Sequence, residues 1–208
     1  MVKLVDLTHT VTDNMPVYPG DNCMKFYSTM AFEEHGVRDE KIESGMHVGT
    51  HMDAPIHMLE TGAYIADIPL GHFQGRGVIV DARKADSIHI GLLDNVELQE
   101  GDIVLVWTGW SEKFKDSDYY EGHAVFEESF AHALVDAKVK VAAMDIPSPD
   151  APPFPIHKIL LKNDVMIIEN ATNLSALEGI KDFIIHAYPA KYKASGAPVR
   201  LVAEIRGE

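Results

Sequence analysis

Twelve consecutive residues, Met46-His-Val-Gly-Thr-His-Met-Asp-Ala-Pro-Ile-His57, constrain this chain more than any other stretch. Three histidines and one aspartate fall at odd positions: His47, His51, Asp53 and His57. Side chains alternate faces along an extended backbone, so all four share one side. A solvated strand face has no need of so much imidazole, whereas neutral imidazole and carboxylate hold divalent transition metals. A lone histidine is more often a surface or packed residue; four such groups at same-face spacing outweigh that. A straight strand would set the Cα atoms of His47 and His51 roughly 13 Å apart. That is too far for one cation with bonds of about 2 Å. Gly49, Thr50 and Pro55 disfavour a helix here. The chain is therefore expected to fold over at Gly49-Thr50, where a missing Cβ permits a sharp turn. Pro55 then stiffens the backbone that presents His57.

The remaining 196 of 208 residues must complete and cover this segment. A hydrophobic content of 46% supports one sizeable core, and one domain over residues 1–208 is the expectation. A formal net charge of −14 argues against nucleic acid and anionic membrane as partners, since both select basic patches. A small-molecule substrate is the expected partner. No apolar run is long enough to span a bilayer, and the N-terminus has no signal-peptide layout. The single cysteine, Cys23, cannot form an internal disulfide, which points to a reducing cytoplasm.

Periodicity predicts strands over residues 3–11, 24–31 and 39–48, the last running into the histidine segment. The proline-glycine loop between the first two carries Tyr18, readable equally as a packed surface tyrosine or as a substrate contact. Short apolar runs at 77–81 and 101–109 read as buried strands, with 101–109 the clearest central one. Residues 70–73 suggest a helical turn and 88–95 are weakly helical. Charged and aromatic residues from 111 to 120 suggest an exposed loop. Apolar spacing at Phe126, Phe130, Leu134 and Ala137 predicts a helix over 126–138. A strand over 139–146 follows, then five prolines in residues 147–155, which stiffen the chain rather than mark a domain boundary. The next helix, 156–162, has Pro155 in its first turn. His157 then sits near a helix N-terminus, whose dipole disfavours a protonated ring. In the strand 164–170, Glu169 directly follows a buried run, so it either ends in water or pairs with something positive. Strands at 181–186 and 199–206 close the fold.

His47-Val-Gly-Thr-His51-Met-Asp53-Ala-Pro55-Ile-His57 resembles the cyclase/arylformamidase family motif His-x-Gly-Thr-His-x-Asp-x-Pro-x-His, with each fixed position present. That family includes bacterial kynurenine formamidases and isatin hydrolases. The resemblance extends to Pro16-Val-Tyr-Pro-Gly-Asp21, Asp145-Ile-Pro-Ser148, Ile168-Glu-Asn170 and Gly196-Ala-Pro-Val-Arg200. It implies a single-domain α/β chain with a swivelling β/β/α fold, strand-rich with few helices, in a homodimer or higher assembly. It implies two divalent metal ions, zinc or manganese, held by His47, His51, Asp53, His157 and Glu169, with Asp53 bridging. His57 would be the general acid/base, and Tyr18 would contact substrate. Kynurenine formamidases usually carry tryptophan where this chain has Tyr18, a departure that leaves the chemistry intact and reshapes the pocket.

The activity so implied is hydrolysis of an N-formyl arylamine, N-formylkynurenine-like and giving formate and the free arylamine, or of a cyclic amide. Asp145, Asn170 and Thr50 are candidates for hydrogen bonds that orient the ligands. Two other readings stay open. His51, Asp53 and His157 also have the form of a two-His-one-carboxylate iron oxygenase site, although His47 and His57 then go unused. A metal-stabilised binding module is the other, although a structural zinc site is usually closed by four ligands and often uses cysteine.

Overall fold

The computed structural model describes residues 2–206. Ten strands are assigned among them: β1 (Val2–Asp6), β2 (Lys25–Met30), β3 (Asp39–Glu43), β4 (His51–Asp53), β5 (Gln74–Asp81), β6 (Ile103–Trp107), β7 (Val141–Met144), β8 (Met166–Glu169), β9 (Phe183–Pro189) and β10 (Gly196–Arg206). The helices are α1 (Phe32–His35), α2 (Glu128–Asp136) and α3 (Pro155–Lys162), with several single 3-10 turns between.

Eight strands form one sheet in the order β1-β10-β4-β8-β7-β6-β5-β9, and β9 also pairs with β10. That second pairing closes seven strands into a ring, with β1 added outside on β10. Strands β5, β6, β7 and β8 run parallel; the rest pair antiparallel. Parallel neighbours need crossover connections, and α2 and α3 supply two of them. The result is an antiparallel β layer, a parallel β layer and a helical layer, the expected β/β/α architecture.

Every residue of β6 and β7 is buried because each strand has apolar neighbours on both faces. Ile103, Leu105, Val141 and Ala143 point into the ring, against Phe183, Ile185, Leu201 and Ala203. Val104, Val106, Ala142 and Met144 face Phe130 and Leu134 of α2 and Leu160 and Leu161 of α3. A glycine is required at Gly77, where a Cβ would lie 2.0 Å from the Phe183 ring. No helix among the described residues is long and apolar enough to cross a membrane.

Two sequence expectations are corrected. The strand expected over 39–48 ends at Glu43; β3 pairs with β2 in a separate two-stranded sheet, and residues 46–50 are bends. Every residue of β3 is exposed, so its alternation reflects hairpin pairing and not burial. The segment 111–120 is not simply an exposed loop. Phe114 and Tyr119 are buried with Met15, Met24 and Val48, and a 3-10 turn spans Trp110–Lys113. The charged residues around them mask two aromatic anchors whose partners lie about a hundred residues away in the chain.

Candidate metal centre

The bend expected at Gly49 is present, with φ +63°. A side chain there would be doubly excluded, since a Cβ would also lie 2.8 Å from Met15 Cε. Thr50 locks the bend: its hydroxyl donates to Asn170 O at 2.6 Å and accepts the His9 N–H at 3.0 Å. Beyond it, β4 lies between β8 and β10, with His51 directly opposite Glu169 and Asp53 opposite Gly196. Direct cross-strand pairing puts His51 and Glu169 on one face, and the two-residue period adds Asp53. His57 ends a 3-10 turn that starts at Pro55.

From the helical layer, α3 presents His157 at its third residue. His157 Nε2 lies 3.3 Å from Glu169 Oε1 and 3.7 Å from Asp53 Oδ2. His51 Nε2 lies 3.4 Å from both Asp53 Oδ1 and Glu169 Oε2. His47 Nδ1 approaches Asp53 Oδ1 at 2.6 Å. Asp53 thus belongs to two groups whose ligand atoms all lie within 4.8 Å of one another, one with His47 and His57, the other with His51 and Glu169. The structure brings together the five candidate ligands and His57.

These groups fit a divalent cation on their own geometry. His51 Nε2 and Asp53 Oδ2 are buried without a hydrogen-bond partner among the described residues. Buried polar atoms are costly when unsatisfied, and here they face one another at 3.4–3.7 Å without a hydrogen bond. A cation among them satisfies the set. The outward ring nitrogens are held in matching fashion. His51 Nδ1 faces Gly49 O at 2.9 Å and His157 Nδ1 faces Asp150 Oδ1 at 2.6 Å. Both partners only accept, so each Nδ1 carries a hydrogen and each Nε2 is the nitrogen turned inward to the carboxylates.

The electrostatics agree. Burial by itself lowers the pKa of His51, but Asp53 and Glu169 outweigh it and raise the value to about 9. Burial also opposes the charge on His157, yet Asp150, Asp53 and Glu169 push it up to about 12. Burial works against the charge on Asp53 as well, and the three facing histidines hold that carboxyl well below its usual range. The cluster therefore favours added positive charge. The helix dipole was expected to keep His157 neutral, and that expectation is corrected: three carboxylates outweigh one helix end. His57 differs, since burial lowers it to about 4 against the pull of Asp53, leaving a neutral base at pH 7.

Of the expected orienting residues, Thr50 and Asn170 brace the cluster and Asp145 does not. Asn170 Nδ2 donates to Gly49 O, the carbonyl that holds His51, and Tyr119 Oη donates to Asn170 Oδ1. Asp145 instead accepts from Thr108 and Gly109, tying the ends of β6 and β7 together. Four contributors went unread in the sequence. Asp150 holds His157; Ser195 Oγ lies 3.0 Å from His47 Nε2; and Phe154 and Tyr120 join Tyr18 around a cavity of about 250 Å³ over the cluster. Asp150 had one readable signal, an acid just before a helix whose N-terminal N–H groups need an acceptor. Ser195 is 148 residues from its partner and left none.

Comparison with known proteins adds the following. A family model described as "Putative cyclase" matches residues 5–151. A kynurenine formamidase from Salinibacter ruber is 30% identical, over 97% of each chain. Isatin hydrolase A from Labrenzia aggregata, solved with benzyl benzoate, superposes with TM-score 0.88 at 23% identity, covering 99% of this chain and 94% of that one. A potential metal-dependent hydrolase with cyclase activity superposes with TM-score 0.82 at 27% identity, covering 100% of both chains.

Proposed function

The chain belongs to the cyclase family, and from that premise we propose that it is a metal-dependent amidohydrolase cleaving an N-formyl arylamine or a related cyclic amide. The observation that carries this reading is the buried meeting point of His51, Asp53, His157 and Glu169, with inward-facing atoms left unsatisfied beside a neutral His57. The curated relative is named for formamide chemistry. We further propose two divalent ions, zinc or manganese: one on His47, His51 and Asp53, the other on Asp53, His157 and Glu169.

When bound, such ions supply Lewis acidity, bringing the pKa of water from about 15.7 to about 7 and polarising a carbonyl oxygen. The protein's own residues do the rest. His57 stacks on His47 with ring centroids 3.9 Å apart, which fixes its plane at the edge of the cluster. Neutral at pH 7, it takes a proton from the attacking water and returns it to the leaving nitrogen. Tyr18 and Tyr120 meet edge to face at 5.8 Å on the cavity wall and flank the aryl group.

The oxygenase reading accounts for His51, Asp53 and His157 but leaves Glu169, His47 and His57 without work. The binding-module reading leaves the cavity and the neutral base unexplained. Residues 1–208 act as one domain in this proposal, supported by apolar clusters on both faces of one sheet. A homodimer or higher assembly belongs to it too. Phe26 packs inward from the β2–β3 hairpin, while Tyr27, Met30 and Ile42 are exposed on a two-stranded sheet that gains from being covered. Cytoplasmic residence is supported by Cys23, exposed and free.

The deciding experiment is a hydrolysis screen after reconstitution with zinc or manganese. The panel is N-formylkynurenine, formanilide, isatin and a simple cyclic amide. Metal-dependent release of formate or ring opening is the expected result, and inactivity across the panel with metal bound overturns the reading.

A further inference from the structure

We infer that Phe154 is the residue that selects an aromatic ring on the leaving amine, an inference that rests on the amidohydrolase reading above. Phe154 occupies the left-handed region at φ 60°, ψ 54°. Glycine and asparagine visit that region readily, whereas a bulky side chain there is strained. Strain of this kind persists when the surroundings over-determine it, and here they do. Phe154 N–H donates to Ala151 O at 2.9 Å. Lys158 Nζ donates to Pro153 O at 2.7 Å. Asp150 Oδ2 accepts the Ile156 N–H at 2.6 Å and the His157 N–H at 3.3 Å.

The side chain that carries this strain joins no apolar cluster among the described residues. Phe154 is only partly buried. It lines the cavity opposite no core partner, and it meets the His157 ring edge-on, with centroids 5.7 Å apart at 83°. Together with Tyr18 and Tyr120 it makes a cavity walled by aromatic rings above the metal cluster. Aromatic walls favour a flat π-system over a saturated ring of equal size through edge-to-face and offset-stacked contacts. The chemical class selected is therefore an N-acyl arylamine, in preference to an N-acyl cycloalkylamine.

The test compares wild type with Phe154→Gly and Phe154→Asn, both suited to the backbone, in the metal-reconstituted protein. One readout is kcat/KM on formanilide against N-cyclohexylformamide. The other is the calorimetric Kd of the uncleaved pair acetanilide and N-cyclohexylacetamide. The expected result is an aryl preference in wild type that falls on the order of tenfold in both variants. Cation affinity stays unchanged, and the melting temperature is unchanged or raised. An aryl preference that survives both substitutions overturns the inference. So does a parallel loss of cation affinity, which would mean that Phe154 acts through His157. Wild type that cleaves neither formamide strikes the amidohydrolase reading instead, and the acetamide Kd ratio then still decides the role of Phe154.

Discussion

Asp150 and His157, both buried, meet at 2.6 Å between Oδ1 and Nδ1. One carboxylate thereby serves two ends. Oδ1 fixes the imidazole so that Nε2 faces Asp53 and Glu169, and Oδ2 caps the first N–H groups of α3. Asp150→Asn is expected to weaken cation binding by about 10–100-fold, the usual effect of losing such a partner. Competition against a chromogenic chelator measures it. Wild-type affinity in that variant would reduce Asp150 to a helix cap.

His51→Ala removes the ring whose Nε2 lies 3.4 Å from two carboxylates. The variant is expected to lose the metal on dialysis. Elemental analysis of the dialysed protein checks this, and tight retention would strike His51 from the ligand set.

His57→Ala should keep its metal, because the neutral ring stands at the edge of the buried cluster. Turnover is expected to fall by on the order of 10²–10⁴-fold, as for loss of a general acid/base. Steady-state kinetics on the best substrate of the screen decide it; undiminished kcat would remove His57 from the chemistry.

Gly49→Ala places a Cβ at φ +63° and 2.8 Å from Met15 Cε. Backbone strain of this type costs on the order of 1–3 kcal/mol. The bend also sets His47 and His51 relative to each other, so cation affinity should fall along with the melting temperature. A variant as stable as wild type would show that the turn tolerates a side chain.

His9 stacks on Phe114 at 3.7 Å, and burial, then Lys115, lowers its pKa to about 4 from the ordinary 6.5. A depressed histidine stabilises the fold above its unfolded pKa, and that contribution is lost as pH falls from 6.5 through 4. His9→Gln should therefore flatten the decline of melting temperature across that window. Parallel profiles for the two proteins would show that His9 does not govern acid stability.

Much of the site was legible because its information is local. His47, His51, Asp53 and His57 fall within eleven residues, and a two-residue period with one glycine bend places them without tertiary knowledge. Strands β6 and β7 were readable for a similar reason, since burial on both faces leaves a continuous apolar run. Glu169 was readable as an anomaly, a charge at the end of such a run.

What the chain alone determined, then, is the cluster of candidate ligands in residues 47–57 and the strands around it, because alternation and bend chemistry act between near neighbours. The tertiary structure alone decided the closure of β9 on β10, the separation of the β2–β3 hairpin, and the burial of Tyr119 behind Asn170. It also decided the grip of Asp150 on His157 and of Ser195 on His47. These depend on which distant surfaces share a boundary. Loop-closure entropy rises only slowly with chain separation, so nothing local marks which of many distant partners a residue will meet.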